Sequence, residues 1–331
     1  MASFNGIVGI LRAAAEPTRV RLLRLVHNGE FNVKDLTQLL GQSQPRVSRH
    51  IKLLADAGLI ERYQEGSWVF VRATADSVLR GFIETALAMI DAEDSQISRD
   101  SERAKQLRLS RTEAAQTYFD QNAANWDRIR SLHVPEMDVE AAMLDALGPG
   151  PFDLLLDLGT GTGRMLELFA SRARRLAGLD SNREMLKFAR VNLEAAGLSN
   201  CSVRLSDIYN LPFAEGSADA VVVHQVLHFL ESPKQALAEA IRVLKPEGKL
   251  LLVDFAPHGL EFLREEHAHM RLGFSPAEIT GWLKEGGMQQ GLYRELCAGS
   301  DKKETGLTVA LWLAVKAKVP EYSAHPKSKV A

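Results

Sequence analysis

The run Leu154-Leu155-Leu156-Asp157-Leu158-Gly159-Thr160-Gly161-Thr162-Gly163 constrains the fold more than any other stretch of the 331-residue chain. Three leucines ahead of an acidic residue read as a strand buried in a parallel sheet. The alternate glycines allow a tight turn that brings backbone N–H groups against a ligand at a helix N-terminus. A dinucleotide fingerprint needs glycine at its first, third and sixth positions. Counting from Gly159 the sixth is Arg164, and no Gly-Lys-Ser/Thr follows to make a phosphate loop. Both phosphate readings therefore weaken.

Further along, Asp180 ends the apolar strand Arg175–Leu179, about one strand-helix-strand unit after Asp157, where a carboxylate can accept hydrogen bonds from ribose hydroxyls. Ser206-Asp207-Ile208 follows a third strand, and Ala220-Val-Val-Val-His224 makes a fourth. Ile241–Gly248 then Lys249–Asp254 read as helix, turn and fifth strand. This ordered series, over roughly residues 113–317, resembles the class I S-adenosylmethionine (SAM) dependent methyltransferases. The resemblance implies an α/β, Rossmann-like domain with a mostly parallel seven-stranded sheet, SAM as cofactor and S-adenosylhomocysteine (SAH) as product. It places Asp157, Gly159, Thr160, Gly161 and Gly163 at the methionine part of the cofactor and Asp180 on the ribose. Met185, Asp207 and Ile208 fall at the adenine, with His224 lining the cofactor or acting as catalytic base. Tyr118–Asp127 resembles the helix that lids the cofactor in quinone-type methyltransferases, so Tyr118 and Trp126 are cover residues or aromatic core.

Methyl transfer is an in-line displacement at a sulfonium, so the protein must align the acceptor, exclude water and, where needed, remove a proton. Groups at the C-terminal ends of the parallel strands are the ones to consider: His224 and Gln225 after strand four, and Asp254, Pro257 and His258 after strand five. His228 reads as a packing residue. Glu265-Glu-His-Ala-His269 would place Glu265 and His269 one helical turn apart, but lacks a fixed spacing to further metal ligands. Val223-His-Gln-Val226 is not the Asn/Asp-Pro-Pro-aromatic motif of base-amino DNA methyltransferases. The two cysteines, Cys201 and Cys297, are too few and too far apart for an arsenite methyltransferase, a zinc site or a disulfide framework.

The N-terminal part reads differently. Glu16–Val26 has proline in its first turn and apolar residues at helical spacing, closed by Asn28-Gly29. A second helix runs from Val33 to Leu40 with Asn32 as N-cap. A third, Gln44–Ala57, is capped by Ser43 and carries an apolar stripe of Val47, Ile51 and Leu54. Leu59–Tyr63 and Trp68–Arg72 form a hairpin through a turn containing Gly66. Helix, helix and hairpin make a winged helix-turn-helix. Through Ala15–Leu23 and Ser43–Ile60 the segment resembles the ArsR family of bacterial regulators. That resemblance implies a helix in the major groove, with Gln44, Arg46, Ser48, Arg49 and Lys52 at base edges and phosphates, and Arg62 or Arg72 touching the backbone from the wing. Metal sensing is not expected, because Asn32–Leu40 has no Cys and Ala75–Asp91 no His.

Leu79, Phe82, Ile83, Ala86, Leu87 and Ile90 form a helix face expected to be the seam of a homodimer, which would read an inverted repeat in double-stranded DNA. Domain boundaries are expected at 1–92 for the DNA-binding part, 93–112 for a linker or exposed helix extension, 113–317 for the methyltransferase and 318–331 for a disordered tail. Residues 1–80 hold eleven Lys or Arg against seven Asp or Glu within a chain of net charge -2. Such a local basic excess suits nucleic acid. No apolar run is long enough to span a membrane and no signal-peptide pattern opens the chain, so the expected location is cytoplasmic. Two functions share these residues: a regulator fused to a small-molecule methyltransferase, and a non-catalytic SAM/SAH-sensing regulator of methionine or one-carbon metabolism.

Overall fold

The computed structural model describes residues 4–318 apart from 28, 66, 75, 92, 127–135 and 298–306. The chain divides into two units. One comprises residues 1–118 with Phe229–Ser232 and His258–Leu272; the other comprises Phe119–His228, Pro233–Pro257 and Gly273–Ala331.

In the first unit α1 (Phe4–Ala14), α2 (Pro17–His27), α3 (Val33–Leu40), α4 (Gln44–Asp56), α5 (Ser77–Ala88) and the start of α6 (Ser95–Asn122) accompany a three-stranded sheet of β1 (Phe31–Asn32), β2 (Ile60–Glu65) and β3 (Trp68–Ala73), ordered β1-β3-β2. Asn32 caps α3 as expected. Its side chain accepts the Asp35 N–H at 2.8 Å while the Asp35 carboxylate accepts the Asn32 N–H at 3.2 Å, a reciprocal capping box. Gly41 closes the helix in the left-handed region at φ 64°, where glycine carries no Cβ penalty. On α4 the stripe Val47, Ile51 and Leu54 is buried, but Ser43 makes no side-chain cap bond, and Pro45 occupies the first turn. The wing pairs Tyr63 with Phe70 and Glu65 with Trp68; Gly66 of its turn, like Asn28 after α2, lies outside the described residues.

Two expectations change here. Of the two readings of 93–112, linker or helix extension, the structure has helix: residues 95–122 form one unbroken helix, longer than expected. The proposed dimer seam is partly used at home: Ile83 and Leu87 are buried in this unit's own core, with Phe82 and Ile90 packed against it. The large apolar side chains left exposed on α1, on α5 and at the residue that closes α5 are Phe4, Ile7, Leu11, Val78 and Met89.

The second unit is built on a seven-stranded sheet ordered β6-β5-β4-β7-β8-β10-β9. Its strands are β4 (Phe152–Leu158), β5 (Ala173–Asp180), β6 (Cys201–Leu205), β7 (Ala218–His224), β8 (Leu244–Phe255), β9 (Met288–Cys297) and β10 (Thr308–Lys316). The first five pair in parallel, and β10 runs antiparallel to both its neighbours, so the sheet is mixed, as "mostly parallel" requires. Helices α7 (Glu136–Leu147), α8 (Arg164–Phe169), α9 (Arg183–Ala195), α10 (Pro233–Val243) and α11 (Pro276–Glu285) accompany it. Leu155, Leu156 and Leu158 are buried, as a strand covered on both faces demands. β8 begins earlier than Lys249: it starts at Leu244, and the expected turn survives as a bulge between the pairs Ala218–Leu244 and Ala220–Lys249, with Glu247 at φ 63°. The tail residues Pro320–Ala331 lie outside the described residues.

Candidate functional site

In the second unit the C-terminal ends of the parallel strands gather the expected residues. Asp157 and the glycines follow one another at the end of β4, Asp180 ends β5, Asp207 and Ile208 follow β6, and His224 ends β7. The glycine turn is tighter than the sequence alone conveys. Gly159 sits at φ 72°, and a Cβ there would lie 2.4 Å from Val226 Cγ2, so any side chain is excluded on two counts.

The loop amides are not aimed at a ligand. Gly159 and Thr160 donate to the Leu179 carbonyl at 2.7 and 3.0 Å, and Gly163 donates to Thr160 O at 2.9 Å. The Gly161 N–H donates to Asp180 Oδ2 at 2.8 Å, and the Asn182 N–H to Asp180 Oδ1 at 2.8 Å. The turn thus serves to fix the Asp180 carboxylate rather than to cradle an anion, which agrees with the absence of a phosphate motif. Burial lifts the Asp180 pKa above the ordinary carboxylate value, against the opposing pull of the N–H groups of Asn182, Gly161 and Ser181.

Asn182, beside Asp180, was not singled out from the sequence. It is buried, caps α9 by accepting the Met185 N–H at 2.9 Å, and donates to Asp120 Oδ1 at 2.8 Å. Met185, expected on the adenine, is buried in the first turn of α9. Asp207 is exposed, its carboxylate accepting the Tyr209 N–H at 2.9 Å, and Ile208 is half-buried. Trp126 lies over the loop, its Nε1 3.4 Å from where a Gly161 Cβ would stand. Tyr118 belongs to the other unit, where its hydroxyl meets His267 Nδ1 at 2.8 Å. Asp127 lies outside the described residues.

At the next two strands, His224 is nearly buried, and Gln225 after it is held at φ 53°, a conformation costing a non-glycine residue about 1–2 kcal/mol. His228, read as packing, proves to be half of a buried pair. Its Nδ1 lies 2.8 Å from Asp254 Oδ1, which also accepts the Phe255 N–H at 2.8 Å. A proton on Nδ1 directed at the Asp254 carboxylate is the arrangement this distance fits. Only the reunion of residues 26 positions apart reveals this pair. The Glu265–His269 motif dissolves: the helix Phe262–Glu266 ends before His269, which is buried against Phe229.

In the first unit Gln44, Arg46, Arg49 and Lys52 of α4 and Arg62 of the wing are exposed, and Ser48 is half-buried. A cleft of about 470 Å³ lies among Gln44, Ser48, Arg62 and Trp68, with Lys34 at its edge. Arg72, the other wing cation named from sequence, is taken up by Glu61 at 2.9 Å and lies over the Tyr63 ring. No described helix is long and apolar enough to cross a membrane.

Residues 156–252 match the family described as methyltransferase domain, and residues 16–62 match bacterial regulatory protein, arsR family. The chain is 40% identical over 139 residues to an uncharacterized 37.1 kDa protein in transposon Tn4556 of Streptomyces fradiae, a match covering 41% of this chain and 37% of that protein. It is 35% identical over 114 residues to the demethylmenaquinone methyltransferase of Renibacterium salmoninarum, covering 34% of this chain and 46% of that one. The matches thus span less than half the length of these curated relatives. A solved chain from the complex between the Haloferax volcanii Trm112 methyltransferase activator and a methyltransferase aligns with 62% of this chain and 98% of its own length, at TM-score 0.54 and 21% identity. That likeness is one of fold.

Proposed function

We propose that this chain, in which an arsR-family regulatory domain is joined to a methyltransferase domain, is a cytoplasmic DNA-binding transcriptional regulator that also transfers methyl groups from SAM to a small molecule. The observation that carries the cofactor reading is the Asp180 carboxylate held by two backbone N–H groups at the end of β5. Its acidic neighbours Asp157 and Asp207 suit ribose hydroxyls, an adenine amine and a cationic sulfonium, and would repel a phosphate. The buried Thr160 Oγ1, which packs against Gly178, has no hydrogen-bond partner among the described residues. SAM, when bound, supplies an electrophilic methyl group.

The chain's own residues do the rest. Asp180 orients the nucleoside, and Trp126 covers the glycine loop against water. His224, or His228 braced by Asp254, accepts a proton from the acceptor. The small-molecule class is supported by the demethylmenaquinone methyltransferase among the relatives. On the DNA side, α4 supplies Gln44, Arg46, Ser48, Arg49 and Lys52 to the major groove, and Arg62 reaches the backbone. A homodimer on an inverted repeat is supported by the exposed apolar residues of α1 and α5.

Transfer of radiolabelled methyl from SAM to fractions of a bacterial small-molecule extract tests the enzyme reading, with Asp180→Ala as the control. Label moved only by the intact protein establishes the activity. Tight SAM or SAH binding by calorimetry without any transfer would leave a sensor in its place.

A further inference from the structure

Between β8 and α11 the chain leaves the sheet on an excursion of fifteen residues, 258–272, that belongs to the first unit. Its base is pinched. The Phe274 N–H donates to Phe255 O at 2.9 Å, the His258 N–H donates to Leu272 O at 3.0 Å, and Gly273, at φ 87°, packs so tightly that a Cβ would lie 2.2 Å from Ala256 O.

At its far side the excursion meets the wing through one carboxylate. Glu65 Oε1 accepts from Arg264 Nη2 at 2.5 Å and from the Leu272 N–H at 2.6 Å, while Oε2 accepts from Arg271 Nε at 2.8 Å. Arg271 also donates to Glu30 Oε2 at 3.1 Å, which the Tyr63 hydroxyl reaches at 2.6 Å. The two guanidinium groups lie on the aromatic face of the wing, Arg264 4.6 Å from the Trp68 ring centroid and Arg271 5.6 Å from that of Tyr63. Glu261 accepts the Ser67 N–H at 2.6 Å. Arg264 and Arg271 are almost wholly buried, at 4% and 5% side-chain exposure. The cluster also takes in Glu261, 3.4 Å from Arg264 Nε, and Arg72, 3.6 Å from Glu30, and replacing buried ion pairs by apolar side chains is often no less stable. What ion pairs with fork geometry add is one defined arrangement of the parts they join.

We infer that residues 258–272 are a strap that sets the conformation of the wing, keyed on Glu65, and that through it ligand binding at the C-terminal end of β8 and DNA binding are reciprocally linked. This rests on the cofactor and DNA readings given above. Phe255, whose carbonyl accepts the Phe274 N–H at the base of the strap, directly follows Asp254 in β8. The strap's other end holds β2 and β3, the strands that carry Arg62. By linkage, a ligand that shifts the strap changes DNA affinity by the factor with which DNA changes the ligand's affinity.

The test is amide hydrogen exchange on the full chain, wild type and Glu65→Gln, with and without saturating SAH. Removing the charge weakens three bonds at once, so wing amides 60–73 of the variant are expected to exchange roughly tenfold faster or more, while the buried stretch 47–54 of α4 keeps its protection. SAH is expected to change wing exchange in the wild type and not in Glu65→Gln, although both bind SAH equally in calorimetry. Equal wing exchange in the two proteins, or an undiminished SAH effect in the variant, overturns the strap. If the wild type binds no SAH, the cofactor reading and the linkage fall together, and the unliganded comparison still decides whether the strap holds the wing. Should Glu65→Gln also lose α4 protection, Arg264→Lys, which keeps the charge but not the fork, replaces it with the same expectations.

Discussion

Asp180 is held at the end of β5 by the Gly161 and Asn182 N–H groups, yet burial keeps its pKa above the ordinary carboxylate value. Ribose hydroxyls donating to it favour the ionised form, so binding lowers that pKa. Protons are therefore released on binding just above the usual carboxylate range, where the free protein is partly protonated and the complex is not. Affinity for SAH is expected to rise with pH through that window and to level off above the raised pKa. Calorimetry just above the ordinary carboxylate range in two buffers of different ionisation heat should show the release, and Asp180→Asn should abolish it. Affinity that falls with rising pH there would contradict the assignment. The identity of Asp180 was legible because it follows a strand at a recognisable distance. Its support was not, since Asn182 looks like any helix cap and its bond to Asp120 crosses 62 positions.

Helices α2, α3 and α4 were legible because their apolar spacing and turn residues agree with their burial. α6 was not, because what docks it is charge. Asp100 accepts from Arg21 Nε and Nη2 at 2.5 and 2.8 Å, Arg111 reaches Asp35 at 2.6 Å, Arg108 meets Glu231 at 3.0 Å, and Arg103 donates to the Leu39 carbonyl at 3.1 Å. Of its apolar residues, Ala104 is buried in this unit's core and Leu107 packs against it. An ion pair has no periodicity to read, so the polar sequence left linker and exposed helix extension open and did not reveal the docking. Asp100→Ala leaves the Arg21 charge without its buried partner and is expected to destabilise the first unit by about 3 kcal/mol, measurable as a lower urea midpoint. On α4, Arg46→Ala with Arg49→Ala should weaken duplex binding and reduce the slope of log affinity against log salt by roughly one for each phosphate no longer neutralised. An unchanged slope would remove those arginines from the DNA surface.

For the whole molecule, the sequence divided cleanly into two blocks, whereas the first unit also takes in residues 229–232 and 258–272. Nothing local announces this, because Glu65 and Arg271 lie 206 positions apart and meet through charge alone. Assembly is the second question at this scale. With Ile83 and Leu87 committed to the unit's own core, Phe4, Ile7, Leu11, Val78 and Met89 are exposed apolar residues that the proposed dimer would cover. Phe4→Glu with Ile7→Glu is expected to shift sedimentation from dimer to monomer at micromolar protein. An unchanged mass would place the interface elsewhere.

The three-part make-up of the first unit bears on how the protein is born. Ribosomes extend a chain at about 5–20 residues per second, so roughly ten to forty seconds separate the emergence of β3 from that of Arg271 and Leu272. During that interval Glu65 has neither guanidinium to meet, and the aromatic side chains of the hairpin stand uncovered. A nascent chain therefore cannot complete the wing until most of the second unit has been synthesised. A transcript truncated before codon 272 would yield a protein unable to complete this unit, which ties a finished wing to possession of β4 through β8.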